Sequence, residues 1–265
     1  MQETTKDERL GSERLGKLMV SLAVPAVAAQ LINVLYNIVD RIYIGHIQGY
    51  GDMALTGVGV TFPIIMLIAA FSAFAGMGGA PLASIQLGKH DYDRAELILG
   101  NSAGLLVIFS VVLTIGFSIF KTPVLYAFGA SETTIQYAES YIGIYLLGTI
   151  FVQFAVGLNT FISGQGEARI AMLSVLIGAI INICLDPVFI FVFGMGVKGA
   201  ALATIISQAV SAAWVIKFLT SKKSVIRLKA KNMRLKGDVV KHIGGLGISP
   251  FIMQSTESLV NITLN

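Results

Sequence analysis

The sequence predicts an all-α polytopic membrane protein: a six-helix transmembrane bundle followed by the start of a seventh span. Three observations carry this reading. Hydrophobic residues make up 55% of the 265 and charged residues only 13%, about half the share a water-facing domain carries. Apolar runs of 18 or more residues recur along the whole chain, each long enough to cross a hydrocarbon core of about 30 Å. The basic residues alternate in density from one connection to the next. A soluble α-protein would need polar helical faces to cover such a core, and the sequence supplies none.

The first span, 18–44, follows a charged tail, Met1 to Lys17. It is longer than the apolar core of a signal peptide and no small-residue cleavage site stands out, so it is expected to stay in the mature protein. The second, 54–86, holds Pro63 and Pro81; the third, 97–120, stops at Lys121; the fourth, 135–162, reads as one continuous crossing. The fifth, 168–193, holds Pro187 and the only cysteine, Cys184, which reads as a small packing residue. The sixth is 199–219. Prolines inside such spans, Pro25 included, are tolerated when neighbours satisfy the freed carbonyls. The expected organisation is a six-helix lobe over 1–220, a basic cytoplasmic linker over 221–242, and the start of a seventh span over 243–265. That last stretch, with Pro250 and Gln254, weakly echoes the first span with Pro25 and Gln30, as in transporters built from repeats. The expectation is therefore a truncated form: one complete repeat and the beginning of the next.

Charge sets the orientation. The tail carries Lys6, Arg9, Arg14 and Lys17, the second connection Lys89 and Arg94, and the fourth Arg169. The sixth carries nine basic residues, from Lys217 to Lys241. The first, third and fifth hold one each: Arg41, Lys121 and Lys198. The N-terminus and the even connections are expected in the cytoplasm, and the chain in the cell membrane. Between two spans, the basic run suits anionic lipid headgroups better than nucleic acid.

Ionisable groups inside a span are costly and face a cavity or a partner. Asp40 falls late in the outward-running first span. Asn182 and Asp186 fall late in the fifth and share one helical face at i,i+4. Thr204, early in the sixth, and Tyr141, early in the fourth, lie at a similar depth. Two carboxylates brought together in a partly dry cavity repel, and such a pair either exchanges a proton or holds a hard cation with help from Asn182 and hydroxyl oxygens. Plainer readings stand beside this one: Asp40 paired with Arg41 at the interface, Thr204 bonded to its own helix, Tyr141 as a belt residue. Glu257, about 20 Å along the seventh span, is a candidate second acidic site. Glu139 reads as solvated. His46, His90 and His242 lack metal-ligand spacing, so no metal is expected beyond Na+ at Asp40, Asn182 and Asp186. No Walker loop, H-E-x-x-H or G-x-S-x-G is present, and no cofactor or enzyme activity is expected.

Several stretches resemble the multidrug and toxic compound extrusion (MATE) family. They are Tyr36-Asn-Ile-Val-Asp40-Arg-Ile-Tyr-Ile-Gly45-His46, Ala54-Leu-Thr-Gly-Val-Gly-Val-Thr-Phe-Pro63, and Leu158-Asn-Thr-Phe-Ile-Ser-Gly164-Gln-Gly166-Glu-Ala-Arg169. The most specific is Asn182-Ile-Cys-Leu-Asp186-Pro187-Val-Phe-Ile-Phe, continuing through Gly196 and Gly199 to Thr204. The resemblance implies twelve helices in two lobes around a cleft, with this chain as the N-terminal lobe. It implies efflux of small organic, often cationic compounds by antiport with H+ or Na+. It also implies a cation site at Asp40, Asn182, Asp186 and Thr204, with Tyr141 matching a tyrosine of helix four and Glu257 an acidic residue of helix seven. The chain departs from the family in length, and the missing C-terminal lobe is expected to be needed for transport. Alternatives are a lipid-linked oligosaccharide flippase and a non-transporting membrane scaffold.

Overall fold

The computed structural model describes residues 15–264. The tail residues Lys6, Arg9 and Arg14 lie outside them. The described residues are all-α. Helix α1 (Leu15–Gly45) and α2 (Gly51–Gly88) run through their prolines without breaking, as membrane helices do when neighbours supply the missing bonds. Helix α3 (Tyr92–Ala127) starts five residues before the apolar run, because the Asp91 carboxyl caps it by accepting the Arg94 N–H at 3.0 Å. It also continues past Lys121 and Pro123.

The fourth crossing is a correction. It is not continuous: α4 (Ile135–Leu147) is followed after Gly148 by α5 (Thr149–Gly157) and α6 (Asn159–Gly164), with a bend of 63°. A Cβ at Gly148 would lie 2.6 Å from the Ile205 side chain, so a glycine at the break lets the sixth crossing approach closely. Helix α7 (Ala168–Pro187) passes into one π turn, Val188–Val192, and α8 (Val197–Thr220) follows. Among the described residues five helices are long and apolar enough to cross a membrane, or six where the bent pair is counted as one span. Helix α9 (Gly237–Leu264) begins six residues before the predicted apolar stretch and, being rich in Gly, Ser and Thr, is not among them.

Helix α2 is the central pillar, packed against α1, α3, the α4–α6 crossing and α9. Small residues allow this, as is usual where helices associate in lipid. A Cβ on Gly78 would stand 2.5 Å from the Ile243 carbonyl, and one on Gly247 would stand 2.2 Å from the Phe74 carbonyl. Apolar side chains cover the outside, among them Val111, Val112, Ile115 and Ile119 of α3.

The ends of the bundle differ. At the basic end, the 221–236 connection is folded down on the bundle rather than left in solvent. The Gln165 side-chain oxygen accepts from Ser224 Oγ (2.9 Å) and from the N–H groups of Val225 (2.9 Å) and Ile226 (3.2 Å). Buried Glu96 accepts from the Arg227 N–H at 3.1 Å and pairs with Lys229. Asn101 donates to the Asn232 carbonyl (3.1 Å) and accepts from the Lys236 N–H (2.7 Å). Arg94 then ties Asp238, at the start of α9, to α3 at 2.8 Å. The opposite end is closed by rings: Tyr50 stacks on Tyr137 at 5.2 Å, and Tyr43 meets Phe191 edge-on at 6.2 Å.

Candidate functional site

The end of α7 and the start of α8 are shaped by Pro187 and two glycines. Pro187 has no N–H to continue the α ladder, and the chain passes into the π turn instead. Gly194 (φ 64°) and Gly196 (φ 55°) then reverse it sharply in a conformation that side chains resist. The tight return starts α8 close to the end of α7, and Thr204 lies two turns into it.

The five sequence-predicted residues all turn inward. Asp186 is fully buried, Asn182 is 1% exposed, and Asp40, Thr204 and Tyr141 are each below a tenth. Asn182 Nδ2 donates to Asp186 Oδ1 at 3.2 Å. The carboxyl of Asp40 faces that of Asp186 across the α1–α7 contact, and the Tyr141 hydroxyl faces Thr204. Tyr141 is not a belt residue: it is in the core, nearly parallel to Tyr145 at 6.2 Å. Asp40 makes no salt bridge with its neighbour: the Arg41 guanidinium stands 4.5 Å from the centre of the Phe62 ring instead.

Asp40 Oδ1, Asn182 Oδ1 and Asp186 Oδ2 are buried and have no hydrogen-bond partner. Buried polar atoms are satisfied in the great majority of cases, so three orphans converging from two helices mark a place built for something else. The donor set is hard oxygen, suited to a proton or a hard cation such as Na+ and unsuited to soft metals. No group of three or more His, Cys, Asp or Glu with metal-site geometry exists among the described residues.

Glu257 is not brought to this cluster: it is exposed on α9, which packs chiefly on α2. Glu139 is not simply solvated, since it accepts a hydrogen bond from Thr122. Cys184 is exposed on α7 rather than packed inside. His46 and His242 bond to carbonyls of their own helices, Ile42 O at 2.7 Å and Asp238 O at 2.6 Å.

Sequence reasoning missed a cavity of about 380 Å³ inside the bundle, lined by Asn33, Tyr36, Asn37, Asn159, Ser174, Ser207, Gln208 and Ser211 among others. Tyr36, one turn before Asp40, joins it to the acidic cluster. The available signal was the i,i+4 pair Asn33–Asn37 in an apolar helix, joined by a hydrogen bond from Asn37 Nδ2 to the Asn33 carbonyl at 2.7 Å.

These features define a multi-pass α-helical membrane protein with a buried acidic cluster beside a polar internal cavity. The MatE family model matches residues 25–188, and the chain belongs to that family of multidrug efflux transporters. Multidrug export protein MepA of Staphylococcus haemolyticus is 27% identical over 263 residues, covering 98% of this chain and 58% of the relative. Its Staphylococcus aureus (strain MW2) counterpart is 26% identical over 269 residues, with the same coverage. A MOP superfamily transporter from Pyrococcus furiosus and a MATE in the bent conformation each superpose with a TM-score of 0.86 at 28% identity, over 96% of this chain and 56% of theirs. An inward-facing multidrug resistance MATE transporter gives 0.81 at 27% identity, over 91% of this chain and 55% of its own. The chain thus spans a little over half the length of the relatives it matches.

Proposed function

We propose that this chain is the first lobe of a two-lobe exporter that expels small organic, often cationic compounds in exchange for H+ or Na+. Residues 1–220 form the lobe, 221–242 the linker, and 243–265 the start of the second lobe, with the N-terminus cytoplasmic in the cell membrane. The observation that carries the reading is the trio of orphaned oxygens on Asp40, Asn182 and Asp186. Empty of charge compensation, two facing carboxyls repel; a proton or cation held between them pulls α1 against α7. Thr204 and Tyr141 supply hydroxyls at the rim. Loading and unloading the site then changes how α1 sits beside the internal cavity, the differential contact that alternating access needs. The cavity lining bears amides and hydroxyls and no basic residue, which favours efflux of organic cations over flipping of a pyrophosphate-linked sugar.

The test is uptake of a fluorescent cation into inverted vesicles holding the two-lobe protein, with sodium and pH gradients imposed separately. One gradient is expected to drive uptake, and Asp40→Asn and Asp186→Asn each to abolish the response while inserting normally. Wild-type rates in both variants would remove the proposal.

A further inference from the structure

The docked linker lies over the side of α3 that faces lipid. Ile108, Ile115 and Ile119 are exposed, and at 3.6 residues per turn Leu97, Asn101 and Gly104 continue the same stripe toward the basic end. On this exposed stripe Asn101 and Gly104 are nevertheless buried, because the linker covers them. A Cβ on Gly100 would collide with Asn232, and one on Gly104 with the Met233 carbonyl. The apolar run of α3 begins at residue 97, so the covering segment sits where hydrocarbon gives way to headgroups. Its Leu235 packs near Gly104 and is still 38% exposed, an apolar side chain at the lipid boundary.

Between this segment and the first two turns of α3 is a basin of about 450 Å³, lined by six charged side chains. Four of the six are basic. Lys229 is taken by Glu96, and Arg94 by Asp238 from outside the basin. Lys231, Lys236 and Asp93 remain, and among the described residues none of the three has an ion pair. The balance is one net positive charge at the edge of the bilayer. The backbone that carries the lysines is fixed, since fully buried Asn101 holds the Asn232 carbonyl and the Lys236 N–H. Lysines on a fixed segment give up less freedom on binding than lysines on a free loop.

We propose that this basin binds the headgroup phosphate of an anionic phospholipid, with Lys231 and Lys236 as its cationic arms and the acyl chains along the α3 stripe. A phosphodiester matches it in charge, in oxygen acceptors and in depth. Free phosphate shares the oxyanion chemistry, and the experiment separates the two sources. The proposal is independent of what the two-lobe protein exports.

The 265-residue chain is delipidated in detergent and titrated with phosphatidylglycerol or phosphatidylcholine, and bound lipid is counted by native mass spectrometry. Wild type is expected to bind one phosphatidylglycerol about tenfold more tightly than phosphatidylcholine. Lys231→Gln with Lys236→Gln should erase that preference. Lys222→Gln with Lys223→Gln removes the same charge from exposed positions outside the basin and should preserve it. An equal loss in both double variants means diffuse attraction to a charged linker and overturns the proposal, as does a wild type without preference. Displacement of the bound lipid by millimolar inorganic phosphate assigns the basin to a soluble anion and overturns it too.

Discussion

Buried carboxylates occur at both ends of this bundle, and they are treated in opposite ways. At the basic end, Glu96 is 7% exposed and fully engaged: a backbone N–H from Arg227 and the ammonium of Lys229 close on it. At the other end, Asp40 and Asp186 are equally buried yet each keeps an oxygen without a partner. A carboxylate that is satisfied holds structure together. One left unsatisfied costs stability, and its persistence points to a job that needs an open coordination position. The contrast separates a clamp from a candidate exchange site within one fold.

The sharpest way to break that contrast is to swap charge for amide at each end. Asp186→Asn is expected to abolish gradient-driven transport in the two-lobe protein while leaving the melting midpoint of the 265-residue chain unchanged or raised, since it removes an uncompensated buried charge. A lower midpoint, measured by circular dichroism in detergent, would make Asp186 structural instead. Gly78→Leu should come next. Its side chain would be driven into the Ile243 carbonyl and Gly247, for a cost of about 3 kcal/mol and a loosened α9, read by chemical denaturation. Glu96→Ala should cost about 2 kcal/mol by leaving the Arg227 N–H unpaired and removing the partner of Lys229. It should also open the linker to trypsin at Lys229 and Lys231; protection equal to wild type would show that the clamp does not depend on Glu96.

The smallest effect belongs to Arg94→Ala. Asp238 is fully exposed, and its hydrogen bond from Arg94 holds the carboxyl below the usual carboxylate range. A depressed folded-state pKa stabilises above the unfolded value of about 3.9 and is lost only as pH falls through the lower folded value. Melting at neutral pH should therefore not depend on pH through this pair, and removing Arg94 should leave the midpoint in place. A clear shift would mean that the α3–α9 tie matters more than exposed ion pairs do.

The parts legible in the sequence were those set by solvent. Apolar length marked the membrane helices, and span order put Asp40, Asn182 and Asp186 at one level of the bundle. What escaped was set by contact. The need for glycine at the Gly148 break comes from Ile205, nearly sixty positions away, and in the sequence it is one glycine in an apolar run. The docked linker depends on Glu96, Asn101 and Gln165, which look like ordinary polar residues near helix ends. The side to which Arg41 turns depends on Phe62 being within reach. Helix α9 was read partly from its likeness to the first span, and its composition proved less apolar than that likeness suggested.

The central claim is that the orphaned carboxyls exchange a charge and the clamped one does not. Infrared difference spectroscopy on the 265-residue chain tests it directly, by following the carbonyl stretch of protonated carboxyl groups as sodium is added or pH is raised. The account predicts a band that vanishes under one of these conditions, is missing in Asp40→Asn and Asp186→Asn, and survives in Glu96→Gln. A band that persists in both aspartate variants, or disappears with Glu96→Gln, would contradict it.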